Sequence, residues 1–166
     1  MLRPLLAGCL ALSALVALPT AAQARLQCVA YARSASAVQI RGNARDWWAN
    51  AEGIYDRGQV PVAGAVLAFR ATAAMPMGHV AVVSKVIDAR HILLNHANWS
   101  RPGMVERGVL AVDVSEAGDW SSVRVWYSPT HSLGMRRTPA FGFIYPAAAP
   151  AAPVTRVAAA DDVPHG

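Results

Sequence analysis

The sequence predicts an α+β domain whose helices come first and pack on one face of an antiparallel sheet. Two observations carry this expectation. Before Pro61 the apolar residues recur at helical spacing, and after it they fall into short runs bounded by turn residues. Residues 25–146 are long enough for a single hydrophobic core. The paired dipeptides Asp46-Trp47 and Asp119-Trp120 are too short to count as an internal repeat.

Residues 1–24 read as an export signal. Arg3 gives a short positive start, Leu5 to Leu18 is apolar but short for a bilayer span, and Ala22-Gln23-Ala24 offers a small-x-small cleavage site. Leu6-Ala7-Gly8-Cys9 also resembles a lipid-attachment site, but the apolar run continues past Cys9, which favours cleavage after Ala24. The mature chain is then expected to begin at Arg25. It would reach the periplasm or the extracellular space without a stable membrane anchor.

The first helix is expected over Gln27 to about Ala37. Cys28, Tyr31, Ala32 and Ala35 recur at i, i+3, i+4 and i+7, which places them on one face. A second helix is expected from Asn43, a suitable N-cap, to Gly53, a suitable stop. Trp47, Trp48 and Ala51 form its apolar side, read as core rather than as a sugar platform.

Strands are expected at Ala65 to Phe69, Gly78 to Val86, His91 to Asn98, Val109 to Val114 and Ser122 to Tyr127, with a last one at Phe141 to Tyr145. A hairpin centred between Asp88 and Ala89 pairs Val86 with His91. The same register sets Asn98 opposite His79 and His96 on the diagonal of the same face. Residues 147–166 are Ala- and Pro-rich with no hydrophobic period, and read as a disordered tail.

The chemistry follows from these placements. Cys28 is the single cysteine of the mature chain, and in an exported protein a leftover cysteine points to a reactive thiol or an intermolecular bridge. In the first turn of a helix its pKa is expected to be lowered, with ready alkylation near neutral pH. A thiol with His79 nearby and a polar pair, His96 and Asn98, on the neighbouring strand has the parts of a cysteine hydrolase. Gln27 either joins the Cys28 backbone N–H in an oxyanion hole or caps the helix. Tyr31 either lines the pocket or packs. The +5 formal charge is spread over scattered arginines with Lys85 the single lysine, so no nucleic-acid stripe is present.

Gln27-Cys28-Val29-Ala30-Tyr31-Ala32, Gly64-Ala65-Val66, Gly78-His79-Val80-Ala81-Val82-Val83 and His96-Ala97-Asn98-Trp99, in this order and spacing, resemble the cysteine-, histidine-dependent amidohydrolase/peptidase family, the CHAP domains. The resemblance implies a papain-like α+β fold and cleavage of amide bonds, most often in bacterial peptidoglycan. It implies Cys28 as nucleophile, His79 as general base and no cofactor. Many members carry glutamate where this chain has His96, so His96→Glu is expected to retain activity. A related cell-wall peptidase family uses histidine as its third residue.

The expected protein is therefore an exported cysteine amidase or endopeptidase acting on peptidoglycan peptides through Cys28, His79 and either His96 or Asn98. Two alternatives stand beside it. One is a non-catalytic envelope-binding module on the same fold. The other is a zinc site built from Cys28, His79 and His96, whose spacing matches no closed zinc motif.

Overall fold

The strands do not form an open sheet: they curl until the last meets one from the middle of the chain. In the computed structural model, which describes residues 25–146, the chain begins with helix α1 (Cys28–Ala35), a 3-10 turn at Ala44–Asp46 and a short helix α2 (Trp47–Asn50). The strands follow as β1 (Arg57–Gly58), β2 (Val66–Phe69), β3 (His79–Val86), β4 (His91–Ala97), β5 (Val105–Asp113), β6 (Ser122–Tyr127), β7 (Ser132–Leu133) and β8 (Thr138–Ile144). The expected signal segment, with Cys9, and the expected tail over 147–166 lie outside the described residues.

Neighbouring strands β2 to β6 pair in sequence order, all antiparallel. Strand β8 then pairs with β2 on one side and with β6 on the other, through Val66↔Ile144 and Val123↔Thr138. The result is a closed six-stranded antiparallel barrel, with β1 and β7 as short additions. Three register shifts help it curl, at Ala68/Phe69, Val83/Lys85 and Leu94/His96. Each adds local twist and bend, and closure leaves no unpaired edge among the six.

The papain-like α+β fold, with N-terminal helices packed on a sheet, is thereby corrected to a mostly β barrel. The reason is one of coverage. Helix α1 has 8 residues and α2 only 4, too few to bury the face of a six-stranded sheet. The inner face is buried by the barrel itself, around Leu67, Phe69, Val83, Leu94, Trp120 and Phe143. The helical segment covers one outer flank, where Ala32, Ile40 and Trp47 pack on Val66, Val80 and Val82. Trp47 is fully buried, and Trp48 stacks on Phe141 at 5.6 Å.

Alternation along β3 assigns its side chains. Ala81 and Val83 belong to the interior cluster, and Val80 and Val82 to the flank beneath α1. His79 shares the parity of Ala81 and so faces the interior, at the barrel mouth. The turn after β3 pairs Val86 with Ile92 rather than with His91, one residue from the expected register. The bulge at Ser84 absorbs that difference, and Val82↔Asn95 restores the expected pairing toward the mouth.

Candidate active site

The mouth gathers the end of β2, the start of β3, the end of β4, the start of β5 and the end of β6. It opens into a cavity of about 1120 Å³ lined by Gln27, Cys28, His79, Asn98, Trp99 and Tyr127 among others. Gly78 prepares the entry to β3. It has a φ of +67°, and a Cβ there would lie 2.8 Å from the Arg45 backbone. Only glycine lets the 3-10 turn press this closely on the strand, tied by Arg45 N–H to Met77 O at 2.8 Å.

Three interior side chains form a row across β3, β4 and β5. His79 Nε2 and His96 Nδ1 are 3.1 Å apart, with the rings edge to face. Glu106 is the direct cross-strand partner of His96. Its Oε2 lies 3.4 Å from His96 Nε2, within ion-pair range, although that nitrogen makes no hydrogen bond of good angle. We read the contact as electrostatic, because its length exceeds that of a charge-assisted hydrogen bond. The carboxylate is fixed from behind by Ser100 N–H, Ser100 Oγ and Ser128 Oγ, at 3.2, 2.8 and 2.5 Å. Trp99 packs on both histidine rings, at 4.9 Å from His79 and 5.7 Å from His96, and Phe69 packs beside Trp99 on His79 at 5.8 Å.

Cys28 opens α1 and is 8% exposed. The backbone amides of Val80, one residue past His79, of Val29 and of Cys28 itself favour its thiolate form. Thiol and imidazole therefore reach the same cavity from two elements, the thiol from the flank and the ring from the mouth. With His79 Nε2 engaged by His96, the nitrogen left for the thiol is Nδ1.

Asn98 is not the partner of His79. It leaves the strand with a φ of +64°, donates from Nδ2 to Gln27 Oε1 at 2.9 Å and accepts from Gly103 N–H at 2.9 Å. Gln27 makes no side-chain cap bond to α1, so the capping alternative does not hold. Its side chain is instead tied to Asn98 and lies along the cavity wall. Tyr31 is buried in α1, apart from the residues that line the cavity. Among the described residues no group of three or more His, Cys, Asp or Glu is placed to hold a metal ion, so the proposed zinc set is not assembled.

Burial governs the electrostatics. Desolvation pushes the Cys28 thiol above its ordinary value of 9.0, and the three amides that favour the thiolate offset this only in part. The expectation of a lowered thiol pKa is corrected accordingly: an eight-residue helix gives less than burial takes. Desolvation also holds His79 well below 6.5, with His96 adding to the effect and Glu106 opposing it. Glu106 is the reverse case. Burial raises its carboxyl, but the contact with His96 and the bonds from Ser128 and Ser100 outweigh that and bring it down to about 2. The resting pair is thus a protonated thiol beside a neutral imidazole, with an ionised carboxylate two side chains away.

Sequence reasoning missed Glu106 and gave Trp99 no role. Strand β5 starts at Val105, four residues before the expected Val109, which left Glu106 in an imagined loop. The usable signal was Gly103, a turn residue that lets the chain double back on His96. With Glu106 opposite, a glutamate at position 96 sets two carboxylates side by side in a buried place. His96→Glu alone is now expected to lower activity.

Over residues 19–98 the chain matches the family model of the CHAP domain. No curated protein and no solved structure matches the chain.

Two measurements check the electrostatic account. Iodoacetamide labelling of Cys28 in the free protein should be slow at pH 7 and still climbing above pH 9; a fast rate that levels off below pH 7 would contradict a buried neutral thiol. The second concerns stability. A carboxyl lowered from 4.5 to about 2 contributes its full stabilisation above pH 4.5 and loses it as pH falls toward 2. Denaturant unfolding of Glu106→Gln should therefore vary less steeply with pH in that window than the unmodified protein. Equal slopes would show that Glu106 is not held as described.

Proposed function

Residues 19–98 belong to the CHAP domain family, and from that premise we propose that the protein is an exported cysteine amidase or endopeptidase that hydrolyses amide bonds in peptidoglycan peptides. CHAP domains are of amidohydrolase/peptidase type and peptidoglycan-related. The observation that supports turnover in this chain is that Cys28 and His79 line one cavity, with His79 Nε2 already occupied by His96.

The chemistry balances with these groups alone. His79 Nδ1 takes the Cys28 proton as the sulfur adds to the amide carbonyl carbon. The Cys28 backbone N–H and the Gln27 side chain are the donors available to the oxyanion. Collapse breaks the C–N bond, and the leaving amine takes the proton from His79. Water then adds to the thioester with His79 again as base, which releases the acid and restores the thiol. A raised thiol pKa fits this sequence, because the proton leaves during attack rather than before it.

His96 acts as the orienter in this scheme. Asn98 acts on the wall, holding Gln27 in place. At about 1120 Å³ the cavity has room for a peptide segment, and Arg136 on its lining offers a charge for a stem-peptide carboxylate. Export rests on the apolar segment before Ala24, and N-terminal sequencing of the exported form should read from Arg25. A lipid-modified Cys9 at the N-terminus would replace that reading with membrane anchoring.

Mass spectrometry of wall fragments after digestion with the purified mature protein should show newly freed amine and carboxyl ends, absent with Cys28→Ser. Intact wall under both proteins would instead favour a binding module. In the same assay His96→Ala should lower kcat by about 10²-fold, the scale of a positioned acid–base group, and Asn98→Ala by less. A dead but folded Asn98→Ala beside a near-normal His96→Ala would move the orienter's role to Asn98.

A further inference from the structure

We propose that Glu106 is a positioning residue for the Cys28–His79 pair, and that it does so by fixing the tautomer of the intervening His96. The proposal rests on the cysteine-hydrolase reading above and adds to it a residue on a third strand. Glu106 stands directly across from His96 in the β4–β5 register, 4% exposed at its side chain, with its Oε2 3.4 Å from His96 Nε2. That nitrogen is buried and has no hydrogen-bond partner of good angle.

The reasoning concerns one proton on each ring. The contact between His79 Nε2 and His96 Nδ1 carries a single proton. If His96 holds it, His79 Nε2 is the acceptor, its Nδ1 carries the ring proton, and it cannot take another from the thiol. If His79 holds it, Nδ1 is a free lone pair available to Cys28 on the shared cavity. The second state requires His96 to be protonated at Nε2 and bare at Nδ1. A fixed carboxylate beside Nε2 selects that state, since it attracts an N–H and repels a lone pair. When the thiol proton reaches His79 Nδ1, the imidazolium carries both its protons, His96 keeps its own, and Glu106 remains a carboxylate. No proton leaves the row.

Glu106 is built to stay charged. Three bonds from Ser100 and Ser128 hold it, and they arrive from the loop after β4 and the turn after β6. The titratable groups around the row are Cys28 on α1, His79 on β3 and His96 on β4, with Tyr127 and Arg136 across the cavity. Among the described residues Glu106 is the carboxylate within ion-pair range of the histidine pair.

Histidine 15N NMR on the unmodified protein reads the tautomer directly. The expected spectrum has His96 protonated at Nε2 and unprotonated at Nδ1; the opposite assignment overturns the proposal, and no variant needs to fold for this result. Kinetics on Glu106→Gln supply the second readout. We expect kcat to fall by about 10-fold or more, with KM changed less than about twofold. Loss of the negative charge should also move the acid limb of kcat/KM to lower pH, because Glu106 raises the His79 pKa. Ser128→Ala removes one anchor of the carboxylate but keeps its charge, and should leave that limb in place. An unchanged limb in folded Glu106→Gln, or the same shift in Ser128→Ala, reduces Glu106 to a loop anchor and ends the proposal. Activity in Cys28→Ser would instead defeat the hydrolase reading and leave the NMR result standing.

Discussion

The contact between His79 Nε2 and His96 Nδ1 is the constraint on which the site depends. It fixes the His79 ring, decides which of its nitrogens faces the thiol, and places His96 against Glu106. It exists because two strands present the same interior face at the same end of a closed barrel. A one-residue slip of β4 would turn His96 outward and bring Asn95 in its place. The bulges at Ser84 on β3 and at Arg107-Gly108 on β5, opposite Asn95, therefore serve the site as well as the curvature, since each resets the register of β4 against its neighbour.

The same burial that orders the row also neutralises it. Trp99 and Phe69 exclude water from both rings, and desolvation keeps His79 uncharged and Cys28 protonated. In the proposed hydrolysis such a pair holds little charge at rest and creates it during attack. A carboxylate kept ionised at the far end of the row then has its greatest effect in the charged state, because interactions are stronger where the local dielectric is low. Ser100 and Ser128 offset the cost of burying that carboxylate, so the loops that cross the mouth are tied to the electrostatics of the site.

Local pattern made much of this legible. The six short apolar runs expected after Pro61 fall on strands, and parity along β3 and β4 brought His79 and His96 to one face. Barrel closure was not legible, because the pairing of Val123 with Thr138 joins segments whose runs look like those of any antiparallel sheet. Nor was the helical content: Asn43 to Gly53 has the signals of one helix, yet it forms a 3-10 turn and a four-residue helix pressed onto β2 and β3. Asn98 had the better claim on His79 by register alone. Its left-handed backbone, set by the turn to Gly103, took it out of the strand and gave its amide to Gln27. Glu106 was hidden by a strand start misread by four residues. Asp113 is held by Ser115 and by Arg90, where β5 ends beside the start of β4.

The central claim is that Cys28 forms a covalent acyl intermediate, with its proton passed to His79. Rapid acid quenching during turnover of a peptidoglycan-derived peptide, followed by peptide mapping, tests this most directly. The account predicts a mass increase equal to the acyl half of the substrate, located on the peptide that carries Cys28. Turnover accompanied by an adduct on a different residue, or sustained at the normal rate once Cys28 is replaced by serine, would contradict it.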